Sequence, residues 1–330
     1  MKLFMVGDST VCNYGSETDK VYPRNGYGMW VGNYLNSNVT VVNLALSGRS
    51  SKSFLAEANY QTLISQIGAG DYLMIGFGHN DQKKDSQDDL NNRYTSPTGD
   101  ETDQTSFQYH LYTYYIKVAL DAGATPILCT PIVRRDINGN YAGSSGHVTN
   151  GGDYAQAIID LGAKYNVTVI NLRDLTKELY SSLSNEQTAK MHATSGAVET
   201  VIDNTHLNSY GAAHVAYMLC KQLATTSNGL AAYVDQSRLV APVYEKVIVK
   251  NQFDQPEDGD VTVYGSWELT TYANHGQGKH QGINLIYYCA GPMEGKVSGG
   301  VGYVKATDSA GNGTIKFGTI SANTGYSCIN

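Results

Sequence analysis

The chain has 330 residues, which at roughly 150 residues per domain predicts about two domains, and its 41% hydrophobic content supports a real core. Only 16% of residues are charged, and 25 Tyr and 35 Gly with many Asn, Ser and Thr supply the polarity, a balance opposite to intrinsic disorder. The net charge of −7 comes without a basic block, which argues against nucleic acid, and no stretch nears the ~18 apolar residues of a membrane span.

The first apolar run, 3–6, follows Met1 and Lys2 at once, so the N-terminus shows no secretory signal. Four more runs follow at 39–44, 72–77, 125–130 and 167–172, each ending in polar or glycine-rich residues. Segments with helical spacing lie between them: 107–122, with Leu111, Tyr115, Val118 and Ala119 on one stripe, and 154–165. A last one, 209–223, opens with Ser209 and carries Ala213, Ala216, Tyr217 and Cys220. Strands alternating with helices require crossovers, so 1–240 is expected to be one α/β domain with a doubly wound five-stranded parallel sheet.

After Pro242 the helical period vanishes. Runs at 246–249, 261–264 and 283–288 alternate between turn glycines, which suits an all-β appendage over 241–330. At roughly 85 residues it is small beside the ~100 of a free-standing sandwich, and a truncated module is expected. Cys12, Cys129, Cys220, Cys289 and Cys328 form neither a disulfide framework nor a zinc pattern. Three of them read as small core residues. The charge-poor composition favours an extracellular protein whose leader has been removed, an intracellular location being the alternative; a monomer is expected.

Ligands of open parallel sheets bind where strands end at their carboxyl side. Gly7-Asp8-Ser9-Thr10 follows the first run, Ser47-Gly48-Arg49-Ser50 the second, and Gly76-Phe77-Gly78-His79-Asn80-Asp81 the third. Asp203-Asn204-Thr205-His206 follows the fifth and precedes the last helix. Ser9 needs a base, and His206 can accept its proton. Asp203, three residues earlier, can hold the imidazole in the useful tautomer. A tetrahedral oxyanion needs convergent donors, for which the backbone N–H groups of Ser9 and Gly48 and the Asn80 amide are available. Taken singly, each element is an ordinary turn, cap or surface histidine. Their joint occurrence in this order, each at a strand end, points to acyl transfer.

These strings resemble the SGNH, or GDSL-type, hydrolase superfamily, whose four blocks centre on Ser, Gly, Asn and His. Within it the rhamnogalacturonan acetylesterases, carbohydrate esterase family twelve, match best. The supporting strings are Gly7-Asp8-Ser9-Thr10-Val11, the segment 43–51, Gly76 to Gln82, Thr130-Pro131-Ile132-Val133-Arg134-Arg135 and the segment 203–212. One departure is Gly26-Tyr27-Gly28, where the family tends to have Gly-Trp-Gly. The resemblance implies a flavodoxin-like fold and removal of acetyl groups from acetylated pectic polysaccharide through an acetyl-serine, with no cofactor and no metal. Asp8, Arg49, His79 and Arg134 are the candidate substrate-binding residues.

A pectic polyanion would be repelled by the net charge, so local cations from Arg49, Lys52, Lys83, Lys84, Arg134 or Arg135 are expected to compensate. His110 and His214 read as helix packing, and His275 with His280 makes a poor metal site. The region 295–326 faintly resembles the β-sandwich carbohydrate-binding modules attached to polysaccharide esterases. Rival readings are a lipase, thioesterase or acetylxylan esterase of the same fold, and a non-catalytic carbohydrate-binding protein on that scaffold.

Overall fold

All five apolar runs become strands of one parallel sheet. In the computed structural model, which describes residues 1–17, 19–247, 293–294 and 316–317, these are β1 (Lys2–Gly7), β2 (Thr40–Asn43), β3 (Tyr72–Gly76), β4 (Thr125–Cys129) and, later in the chain, β7 (Thr168–Ile170). Their order is β2-β1-β3-β4-β7, with Phe4 paired to both Val42 and Leu73. That is the flavodoxin-like winding, whose switch point lies between β1 and β3.

Both sheet faces are covered. Successive strand residues point to opposite faces, so Leu3 and Met5 of β1 enter one core while Phe4 and Val6 enter the other. On the first face the sheet packs against α8 (Ser209–Leu223) through Ala212, Val215, Ala216, Leu219 and Cys220. On the second it meets α1 (Ala58–Gln66) and α5 (Tyr154–Tyr165). Caps set the helix boundaries: the Asp153 side chain accepts from the backbone N–H groups of Ala155 and Gln156, and Asn208 accepts from Gly211.

The helix expected over 107–122 is interrupted. A π-helical turn, Tyr112–Ile116, separates α3 (Phe107–Leu111) from α4 (Lys117–Asp121). Tyr115 sits in that turn, and its hydroxyl donates to the Ser51 carbonyl at 2.7 Å, behind the loop that carries Gly48.

Smaller elements complete the chain: α2 (Gln87–Asn92), α6 (Leu172–Ser181), α7 (Asn185–Ala189) and α9 (Tyr244–Val247), the two-residue pair β5 (Val148–Thr149) and β6 (Gly152–Asp153), and the antiparallel pair β8 (His192–Thr194) and β9 (Ile202–Leu207). The strand expected from 246 instead begins with the last turn of α9. The rest of the expected β-rich appendage, with Cys289, Cys328, His275 and His280, lies outside the described residues, apart from an antiparallel pairing of Met293–Glu294 with Lys316–Phe317.

A first compact unit comprises Met1–Ser16, Arg24–Ser195 and Thr200–Ile248 and holds every site residue discussed below. Glu17–Pro23 and Gly196–Glu199 belong to a second, in which the Val21 N–H donates to the Gly196 carbonyl at 3.2 Å.

Candidate active site

Ser9 stands two residues beyond the end of β1, on a turn shaped by Asp8. One Asp8 carboxylate oxygen accepts from the Thr10 N–H at 2.9 Å and from the Thr10 hydroxyl at 2.8 Å. The Tyr14 hydroxyl holds the Ser9 carbonyl at 2.9 Å, and the Tyr27 N–H donates to Thr10 O. Tyr27 is buried in the core, so the departure at Gly26-Tyr27-Gly28 preserves packing beneath the turn.

His206 meets Ser9 across 197 positions of sequence, with Nε2 at 3.0 Å from the Ser9 hydroxyl. Its Nδ1 lies 2.7 Å from Asp203 Oδ2. The other Asp203 oxygen accepts from the backbone N–H groups of Thr205 and His206 at 2.9 and 3.0 Å. Burial opposes the charge of this carboxylate, but the hydrogen bonds from the His206 ring and from the backbone of His206 and Thr205 hold it down at about 2. An ionised carboxylate only accepts, so the proton sits on Nδ1 and Nε2 is free to accept from Ser9.

The acidic block does not follow the fifth strand directly, as its sequence position suggested. Helices α6 and α7 and strand β8 intervene, and Asp203 and His206 belong to β9. Between the pairs Thr194↔Ile202 and His192↔Leu207 the β8 strand advances two residues while β9 advances five. The surplus arches out as a bulge, which turns both side chains toward Ser9. Two buttresses hold the arch. Arg135 donates to the Asn204 side chain at 2.8 Å, and its N–H reaches the Asn204 carbonyl. His192, fully buried, has Nδ1 within 2.9 Å of the Asp203 carbonyl and 3.0 Å of the His206 carbonyl, while Nε2 takes the Tyr180 hydroxyl at 2.7 Å. Burial lowers His192 to about 4, so the ring is neutral, donating through Nδ1 and accepting at Nε2.

The loop after β2 is clamped to the loop after β3. The Asn80 amide donates to the Arg49 carbonyl at 3.1 Å, leaving its second hydrogen unused by that bond. Buried Asp81 accepts from the Ser51 N–H at 3.0 Å, the Ser51 hydroxyl at 2.5 Å and the Thr95 hydroxyl at 3.1 Å. Gly48 has φ +76°, and a Cβ there would meet nothing within 4 Å. Glycine is therefore required by left-handed backbone more than by crowding. Among the described residues, the backbone N–H groups of Ser9 and Gly48 have no hydrogen-bond acceptor.

Three of the four expected substrate-binding residues have internal duties instead. Asp8 is fully buried and serves the Ser9 turn. His79 is 2% exposed, with its ring edge against His147 at 4.4 Å, and burial keeps both rings uncharged. Arg134 donates to the carbonyls of His79 at 3.1 Å and Ser144 at 3.0 Å. Arg49 remains at the surface, paired to Glu57 at 2.5 Å. The supporting roles of His192, Tyr14 and Asp81 were not recognisable in sequence, because each bonds to backbone groups whose positions only the folded loops define. Cys12, Cys129 and Cys220 are free and buried, and His110 packs within the core, as expected. A hollow of about 770 Å³ opens near the amino ends of β4 and β7, the sheet edge opposite Ser9.

A serine hydroxyl, an imidazole and a carboxylate stand hydrogen-bonded in that order at the carboxyl edge of a doubly wound sheet, an arrangement suited to acyl transfer. The model of the GDSL-like lipase/acylhydrolase family matches residues 5–214, and the chain belongs to that family. It is a carboxylic ester hydrolase.

The chain is 30% identical over 220 residues to the probable rhamnogalacturonan acetylesterase YesY of Bacillus subtilis (strain 168), covering 66% of this chain and 90% of that one. It is 31% identical over 227 residues to the rhamnogalacturonan acetylesterase RhgT of the same organism, covering 67% and 88%. The crystal structure of protein YxiM from Bacillus subtilis superposes with a TM-score of 0.51 at 24% identity, over 67% of this chain and 55% of that one, a likeness of fold.

Proposed function

We propose that the chain removes acetyl groups from acetylated plant cell-wall polysaccharide outside the cell, rhamnogalacturonan being the preferred polymer. Two relatives named as rhamnogalacturonan acetylesterases, each matched over most of its length, support the substrate. The hydrogen-bonded chain from Ser9 through His206 to Asp203 carries the chemistry.

In this reading the Ser9 oxygen attacks the acetyl carbonyl carbon as His206 Nε2 takes the hydroxyl proton. Negative charge gathers on the former carbonyl oxygen, where the N–H groups of Ser9 and Gly48 and the second amide hydrogen of Asn80 are the donors. Collapse breaks the carbon–oxygen bond to the sugar, and His206 returns the proton to the departing hydroxyl. Water then attacks the acetyl-serine carbon as His206 Nε2 takes its proton; the bond from that carbon to the Ser9 oxygen breaks, His206 returns the proton to that oxygen, and acetate leaves. Asp203, ionised throughout, stabilises the imidazolium at each stage.

The test is acetate release from acetylated rhamnogalacturonan, pectin and xylan, with the Ser9→Ala protein as control. Release fastest from rhamnogalacturonan supports the reading. Preference for xylan would make the chain an acetylxylan esterase, and inertness toward all three with hydrolysis of longer acyl esters would make it a lipase.

A further inference from the structure

Beside Gly48 lies a cavity of about 530 Å³, within the roughly 300–1,000 Å³ of small-molecule sites. Arg49, Lys52, Asn91, Asn92 and Arg93 line it together with Gly48. It adjoins the loop that carries the proposed oxyanion donors, since Gly48 is part of its wall and the Asn80 amide is bonded to the carbonyl of Arg49, another lining residue.

Of the six cations that could offset a polyanionic substrate, the structure leaves two at this place. Arg134 and Arg135 do not line the cavity, and they donate to carbonyls and side chains elsewhere in the chain. Lys83 and Lys84 do not line the cavity, and Lys84 lies over the Tyr94 ring at 5.8 Å. Arg49 and Lys52 remain, and Arg93 joins them. Arg49 uses Nε for Glu57 and Nη1 for the Ser47 carbonyl, leaving Nη2. Arg93 gives Nη2 to Asp89. A guanidinium has five N–H donors, so both arginines keep donors for a further partner. Among the described residues Lys52 makes no ion pair. The acidic residues lining the cavity are Glu57, held by Arg49, and Asp88, which accepts from the Asn92 amide at 2.6 Å.

We propose that this cavity is a subsite for the carboxylate of a uronate unit of the acetylated chain. Lys52 supplies the unbalanced charge, the arginines supply directed donors, and Asn91 serves the sugar hydroxyls. The proposal rests on the acetylesterase reading above and adds that its selectivity for an acidic polymer is built beside Gly48.

The experiment compares KM for acetylated rhamnogalacturonan oligosaccharides, which carry uronates, with KM for acetylated xylooligosaccharides, which are neutral, in the wild type, Lys52→Gln and Lys52→Glu. The ratio of the acidic to the neutral KM is expected to rise about fivefold in Lys52→Gln, the size of one exposed ion pair, and further in Lys52→Glu. Raising the ionic strength from about 0.02 M to about 0.3 M should raise the same ratio in the wild type and far less in Lys52→Gln. A ratio that stays within twofold of wild type in both variants overturns the subsite while leaving the esterase intact. Failure of the wild type to release acetate from either oligosaccharide, with turnover of 4-nitrophenyl acetate, overturns the polysaccharide reading and the subsite with it.

Discussion

His192 shares one N–H between the carbonyls of Asp203 and His206, at 2.9 and 3.0 Å, and so ties together the two ends of the arch that presents the imidazole to Ser9. It is a positioning residue, acting through backbone. Replacement by Phe leaves both carbonyls and the Tyr180 hydroxyl without this partner. The expected cost is about 1–3 kcal/mol of stability. A misplaced base should also lower kcat about 10- to 100-fold at little change in KM. His192→Gln, which keeps a donor, should recover part of kcat. Loss of melting temperature with undiminished kcat in the Phe variant would reduce His192 to packing.

The same histidine has a pH signature. Its folded pKa of about 4 lies below the ordinary 6.5, so the unfolded chain binds the extra proton first as pH falls. Its stabilising effect is therefore complete above pH 6.5 and is lost as pH drops through about 4, a change on the order of 3 kcal/mol. Asp81, pushed by burial to about 7, titrates in the opposite sense across this window. The informative quantity is thus the stability difference between wild type and His192→Gln in urea, which should shrink between pH 7 and pH 4.

Ser9→Ala removes the proposed nucleophile and leaves the Asp8–Thr10 turn untouched. Acetate release should fall about 10⁴-fold or more, with the melting temperature nearly unchanged. Asp203→Asn is the subtler test, because one oxygen can still accept from Thr205 and His206. An amide facing Nδ1 favours the wrong tautomer, and kcat should fall by about 10³–10⁴ with the fold preserved. Near-normal turnover in this variant would remove Asp203 from the triad.

Asn80→Ala deletes a proposed oxyanion donor and the link to the Arg49 carbonyl. A fall of about 10²–10³ in kcat is expected, with little change in KM. Gly48→Ala finds room for its methyl but must hold φ +76°, which costs roughly 1–2 kcal/mol. Relaxation of that strain would move the N–H, so kcat should fall in parallel. Circular dichroism melts and steady-state rates on one ester substrate separate the two contributions.

Much of the architecture was legible beforehand because its signals are local. Fully buried parallel strands need uninterrupted apolar runs such as 72–77, and 209–223 shows both its cap and its stripe. The π turn at Tyr112–Ile116 was not legible, since the sequence there keeps an ordinary helical period and the turn answers to Ser51, far away in the chain. Nor was the bulge in β9, whose size depends on pairing with β8. Burial decided the fate of Asp8 and His79, which look reactive in a string and sit inside the fold.

From residue order alone came the five parallel strands, the alternation of strands with helices, and the serine, glycine, asparagine and histidine blocks, for these depend on periodicity and on chemistry carried by residue type. Tertiary structure alone decided which cations face a cavity and which brace the interior, and what sets the imidazole in place. Such partnerships are hydrogen bonds and ion pairs whose geometry no local pattern announces, among them the one between Ser9 and His206, 197 positions apart. Their distances come into being when the hairpin of β8 and β9 docks beside the sheet edge.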